Sequence, residues 1–296
     1  MHFLPQPLRG PAFMVAATGA FVINDTMMKL ATEGIPPLQV LFLRGVAATL
    51  WCFPLVLILG YGKDLPKIFD RWVLLRNFCE LLAVMMYIIA LANMPIADVA
   101  ALGQVTPLLF LIGMSALLRE RIGGVRMALI GLGFVGALMV AQPSGEGISP
   151  YALLGLGNAI FCAARDIAGR KVGDEVPGWI LAMCAILMVM VGAGAASALT
   201  EQWVMPDLRE TLLLLGAGFF LMFGHFCIFT SYRVGDAGAV APFYYMFSVW
   251  ALISGALVFG QFPNVLAIIG ITFILVGGIT IVLLDGRKRR LAAPAA

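Results

Sequence analysis

The sequence predicts an all-α integral membrane protein of ten transmembrane helices, arranged as two inverted five-helix repeats with both termini cytoplasmic. Three observations lead there. The chain is 61% hydrophobic and 12% charged, whereas a soluble domain carries about 25% charged residues. Its apolar residues fall into runs of about 18–24, the length that crosses a ~30 Å hydrocarbon core as helix. Lysine and arginine are distributed one-sidedly between the breaks that separate those runs.

A mean hydropathy of +0.99 would force a water-soluble fold to expose most of its apolar surface, so lipid is the solvent the composition suits. The runs lack the period-2 alternation of an outer-membrane barrel strand, which makes the spans helical. They fall at 11–30, 37–59, 71–93, 97–118, 125–141, 151–172, 177–199, 209–232, 237–260 and 264–284. Short breaks rich in Pro, Gly or charge separate them, among them Pro36-Pro37, Met94-Pro95, Gly123-Gly124 and Phe262-Pro263. No break is long enough to form a soluble domain.

Charge tests the count. With a cytoplasmic N-terminus, fourteen basic residues lie in cytoplasmic segments: Arg9, Lys63, Lys67, Arg71, Arg119, Arg121, Arg126, Arg170, Lys171, Arg233 and Arg287 to Arg290. External segments hold two, Lys29 and Arg209. Such a split implies both termini inside and an even number of spans. The closing basic run follows the last span directly and reads as a cytoplasmic anchor, not a nucleic-acid patch.

The halves echo each other. Asn24-Asp25 through Lys29 in span one matches Arg165-Asp166 through Arg170 in span six at an offset of 141. Pro36-Pro37 is echoed by Pro177, Asp98 by Asp236, and Gly103 to Pro107 in span four by Gly238 to Pro242 in span nine. A shared order at near-constant offset marks a repeat. It divides the chain into units 1–142 and 143–296, and an odd span number per unit makes the second enter the membrane from the opposite side.

The paired units, the stretch from Asp98 through Pro107 to Arg119-Glu120, and Gly131 with its counterpart Gly270 resemble the drug/metabolite transporter superfamily, in particular its ten-helix EamA-type exporters. The second half has Gly260-Gln261 where Glu120 stands in the first. The resemblance is closest to bacterial exporters of amino acids, aromatic ones included. It implies a secondary transporter of the inner membrane that works by alternating access through a midplane cavity.

Ionisable residues inside spans are costly at the bilayer centre, about 2.5–3.5 kcal/mol each, and so require a reason. Glu80, the deepest, suits a substrate amine or a proton, or else a pair with Arg76 one turn away. Asp25 and Asp166 occupy equivalent positions; each has a base four residues on, Lys29 and Arg170, giving either a gate or an intrahelical pair. Arg165 and Arg44 have the fork geometry to receive a carboxylate, with interhelical structural pairing the alternative for either. Simple helical spacing leaves Arg165 unpaired, since adjacent Asp166 points about 100° away.

Pro107 and Pro242 cannot donate to the helix ladder, so both are expected to kink their spans and free the carbonyls of Gly103 and Gly238. Freed carbonyls at membrane depth need protein or water beside them, which implies a central cavity. Gln104 beside one kink, and Tyr244, Tyr245 and Trp250 near the other, are candidate substrate contacts. Tyr87 and His225, equivalents at an offset of 138, join them. Trp51, Trp72, Trp179 and Trp203 read as an interfacial belt. Gly131, Gly133, Gly136, Gly270, Gly277 and Gly278 allow close helix approach, within one chain or in a weak homodimer.

The five cysteines lie in spans without metal-ligand spacing, and the two histidines are far apart. A membrane-embedded transferase would need clustered His, Asp or Glu at one face. The sequence therefore calls for no enzyme activity, no cofactor, no metal and no nucleic-acid partner. A small-molecule substrate, amino acids above all, and lipid are the expected partners.

Overall fold

The computed structural model describes residues 6–118, 123–141, 149–173, 175–235 and 240–292. Within them the chain forms α1 (Gln6–Ala31), α2 (Pro37–Ile58), α3 (Arg71–Asn93), α4 (Ile96–Gly103), α5 (Thr106–Leu118), α6 (Gly124–Ala141), α7 (Pro150–Gly169), α8 (Gly178–Thr200), α9 (Leu208–Val234), α10 (Met246–Phe259) and α11 (Val265–Ala292). Two 3-10 segments accompany them, Tyr61–Phe69 before α3 and Ala241–Tyr245 before α10. Span four is α4 and α5 in sequence, and span nine is the second 3-10 turn with α10, so the ten expected spans are accounted for.

Side chains fix where helices begin. The Asp70 carboxylate accepts from Trp72 N at 2.8 Å and Val73 N at 3.2 Å, capping α3. Asp207 and Glu210 form a reciprocal capping box at the start of α9. The α2 terminus differs: Pro36 supplies no side-chain cap and Pro37 no N–H. Its free amides, Leu38 N and Gln39 N, donate at 2.9 Å to the carboxylate of Glu201, more than 160 residues away in the second half. Gly260 ends α10 at φ +60°, a left-handed conformation that favours glycine.

By length and apolarity, α2, α3, the α4–α5 span, α7, α8 and α9 suffice to cross a membrane, and shorter apolar stretches occupy α6, the end of span nine and α11. Packing between the halves obeys the repeat. Exchanging each span for its equivalent maps the α1–α9 contact onto α7–α3, α2–α9 onto α8–α3, and α1–α10 onto α7–α5. The contacts α2–α8 and α6–α11 map onto themselves. This pseudo-two-fold pattern is what two inverted copies produce when each buries its apolar faces against the other.

Glycines allow the close crossing of α6 and α11. A Cβ on Gly136 would lie 2.5 Å from the Gly270 carbonyl oxygen, and one on Gly277 would lie 2.9 Å from that of Leu129. Neither could be accommodated without separating the helices. Gly131 faces open space instead, so close approach is not its role. Trp179 corrects the belt expectation. It is 9% exposed and packs against Phe226 and Phe229 inside a core cluster, because α8 turns that face toward α9. Trp51 and Trp203 are exposed, as a belt requires.

Candidate functional site

A cavity of about 900 Å³ lies between the halves, walled by α1, α2, α3, α4, α5, α7, α8, α9 and span nine. Tracing the chain helix by helix puts the ends of α1, α3 and α8 and the starts of α2, α4 and α9 at one end of the bundle. The starts of α1, α3 and α8 and the ends of α7 and α9 lie at the other, with Lys67, Arg71, Arg170 and Lys171. Exposure rises from the first end to this basic end. Asp25 and Arg44 are each 6% exposed, the Glu80 and Arg165 side chains 18% and 20%, and Asp166 reaches 42%. The cavity is thus sealed at one end and open at the basic end.

Contacts between distant segments make the seal. Lys29 Nζ donates to the carbonyls of Leu91 at 2.5 Å and Met94 at 2.6 Å, satisfying the end of α3. Thr26 and Ser254 share a hydroxyl hydrogen bond of 2.6 Å across α1 and α10. Gln39 and Val204 exchange two hydrogen bonds beside the Glu201 cap. Lys29 therefore does not pair with Asp25, contrary to the i,i+4 reading: its ammonium is held by two carbonyls at the end of α3, and Asp25 is held by Asn24 and Tyr87.

A charge network occupies the middle of the cavity. Glu80 accepts from Arg165 Nη1 at 2.8 Å and lies 3.8 Å from Arg76 Nη2. Arg165 also binds Asp166, with both Nε and Nη2 2.8 Å from one carboxylate oxygen. The Glu80 contact is the interhelical pairing expected as the alternative to a free Arg165. Helical spacing alone excludes Asp166 as its neighbour and offers Asp166 to Arg170; the structure corrects both, since the arginine side chain is long enough to curl across the 100° step and Arg170 lies over the Phe110 ring at 4.9 Å. Two arginines and two carboxylates neutralise one another, as groups removed from water must.

Deeper in, Asp25 accepts from Tyr87 Oη at 2.7 Å and from Asn24 Nδ2 at 2.8 Å. His225 Nδ1 lies 2.8 Å from the Leu221 carbonyl of its own helix, and the ring meets Phe21 edge-on. Span four breaks at Gln104–Val105, just before Pro107, where the peptide without an N–H interrupts the ladder. That break turns Gly103, Gln104, Thr106 and Pro107 toward the cavity.

The two copies of the repeat are also visible to comparison with known sequences. The profile of the EamA-like transporter family matches residues 8–142 and again residues 149–283. The chain belongs to the EamA-like transporter family. Among similar proteins, a riboflavin transporter of Vibrio cholerae is 29% identical over 268 residues, 89% of each chain. The Pseudopaline exporter CntI of Pseudomonas aeruginosa is 26% identical over 92% of this chain and 95% of its own. An S-adenosylmethionine uptake transporter of Rickettsia prowazekii is 26% identical over 87% and 86%. A protein crystal structure of 20% identity superposes with a TM-score of 0.63 over 95% of this chain and 99% of that one, a likeness of fold. The chain is accordingly a small-molecule membrane transporter of the EamA family.

Within this EamA cavity the structure places Glu80, Tyr87, Gln104, Arg165, His225, Tyr244, Tyr245, Asp25, Asp166 and Pro107 on the wall. Trp250 is not among the lining residues. Its indole donates to the Val15 carbonyl at 3.2 Å and packs on Gly19, joining α10 to α1. The Tyr245 hydroxyl turns into α11 beside Gly278 and has no partner there. The Pro242 side chain, Glu120, Asp236 and Gly238 lie outside the described residues. Asn24, Asn158 and Phe110 also line the cavity, none of them among the substrate contacts expected from the sequence. Asn24 and Asn158 offered a signal, each an amide within an apolar run.

Proposed function

We propose that this protein is a secondary transporter of the inner membrane, with both termini cytoplasmic, that exports amino acids, aromatic and hydrophobic ones included. The observation that carries the reading is the cavity shared by the two halves, sealed at one end and open at the basic end. With that end cytoplasmic, as the charge distribution indicates, the structure corresponds to an inward-facing state. The five-helix units 1–142 and 143–296 would rock against each other to open the opposite end. Ion-paired arginines and carboxylates give the wall polar contacts, and Phe21, Phe110, Phe229 and Tyr244 give it an apolar, aromatic surface. No step of this cycle requires catalysis, a cofactor or a metal.

A second reading has its own support. The cavity volume stands near the top of the ~300–1,000 Å³ range of small-molecule sites, and the relatives are named for riboflavin, pseudopaline and S-adenosylmethionine. A larger heteroaromatic metabolite would fill the space more completely than a single amino acid. Purified protein in liposomes, offered labelled amino acids, riboflavin and S-adenosylmethionine with and without a pH gradient, separates the two. Amino-acid flux supports the first reading. Flux of the larger solutes alone replaces it with the second, and flux that ignores the gradient removes proton coupling.

A further inference from the structure

The sealed end of the cavity holds two ionisable side chains that the Glu80–Arg165 network leaves aside. Arg44 on α2 is buried on the cavity wall, and its Nε has no hydrogen-bond partner among the described residues. Asp25 and Glu80 act on it through space, yet neither makes an ion pair with it. Asp25 faces the same chamber from α1. One of its oxygens accepts from Asn24 and the other from Tyr87. An ionised carboxylate offers about four acceptor positions, so each oxygen retains room for another donor.

Arg165 is the poorer anion receptor in this state, since Glu80 and Asp166 already balance its charge and engage all three of its nitrogens. Arg44 is the better one. A buried guanidinium without an acceptor is costly, and a carboxylate presenting two oxygens to its fork removes that cost. Asp25 offers the complementary charge to an ammonium group. We propose that Arg44 and Asp25 form a receptor for the zwitterionic head of an α-amino acid, Arg44 taking the carboxylate and Asp25 the ammonium. The remainder of the solute then extends toward Phe21, His225 and Tyr244 on the way to the open end. Because the added head is neutral overall, the balance of charge at the sealed end is unchanged by loading. This inference rests on the transporter reading and names the group that reading leaves open.

The test is counterflow of labelled phenylalanine in proteoliposomes, competed by phenylalanine, its methyl ester and 3-phenylpropionate, together with equilibrium binding of labelled phenylalanine to detergent-purified protein. Loss of the carboxylate or of the ammonium should each weaken competition at least tenfold in the native protein. Arg44→Gln should erase the preference for acid over ester while keeping the preference for the amine, and Asp25→Asn should do the converse. A merely structural role predicts a different result, equal weakening for all three compounds in both variants, and that would overturn the proposal. Equal competition by the three in the native protein would also overturn it. Flux of riboflavin, which has no α-amino-acid head, with neither flux nor binding of phenylalanine sinks the receptor and leaves the transporter reading standing. Absence of both flux and binding for every solute sinks the two together.

Discussion

Glu201→Gln probes the seal. In this state the Glu201 carboxylate accepts two N–H groups at the otherwise uncapped start of α2, each at 2.9 Å. A charge-assisted hydrogen bond contributes about 1.5–3 kcal/mol and loss of a helix N-cap costs roughly 0.5–2 kcal/mol. Because Glu201 is half-buried and glutamine retains one acceptor oxygen, the lower part of that range applies, about 1–2 kcal/mol. The contact joins the end of α8 to the start of α2, so it exists while the sealed end is closed and is lost if those segments part. Its removal should raise the population opened at that end roughly 5–30-fold. The assay is reaction of Met28→Cys, at a position 1% exposed beside Asp25, with a membrane-impermeant thiol reagent in a background lacking the five native cysteines. Faster labelling by that factor is expected. An unchanged labelling rate in folded protein would refute the reasoning, and the seal would then depend on other contacts.

Three further outcomes follow from the packing and the charge network. Gly278→Ala places a Cβ about 1.9 Å from the Tyr245 hydroxyl, so it should destabilise by about 1–3 kcal/mol; adding Tyr245→Phe should restore most of the loss in thermal unfolding, while Gly131→Ala, facing open space, should be tolerated. Arg165→Met leaves Glu80 and Asp166 short of a counter-charge and should cost about 3–5 kcal/mol, with partial recovery in Glu80→Gln/Arg165→Met read from detergent melting curves. Lys29→Met removes two hydrogen bonds from the end of α3 and should accelerate hydrogen exchange at residues 88–94 relative to the rest of α3.

Much of the architecture was legible because bilayer physics writes it into one dimension. Span length, the Pro and Gly breaks, and the basic bias of alternate loops gave ten spans whose limits agree with the helices to within a few residues, except at the start of α1 and the end of α11, where the helices run on past the apolar stretch. Pro107 announced the break in span four because a residue without an N–H must interrupt the ladder. The partners of charged side chains were not legible. Spacing along one helix assigned Lys29 to Asp25 and Asp166 to Arg170, but the choice depends on how each helix is rotated toward its neighbours. Lys29 found carbonyls more than sixty residues away. Glu201, in a loop with no motif, caps a helix in the other half. Trp179 and Trp250 show the same limit: an aromatic in a span can face lipid, cavity or core, and the sequence does not record which.

The most direct test of a transport path through the shared cavity is flux with that path blocked. Thr106 lines the cavity at the break in span four, so Thr106→Trp should fill the passage beside Gln104. In liposomes containing equal amounts of folded protein, the native chain should carry labelled amino acid across at a rate above protein-free vesicles, and Thr106→Trp should reduce it at least tenfold. Undiminished flux through the filled cavity would contradict the account.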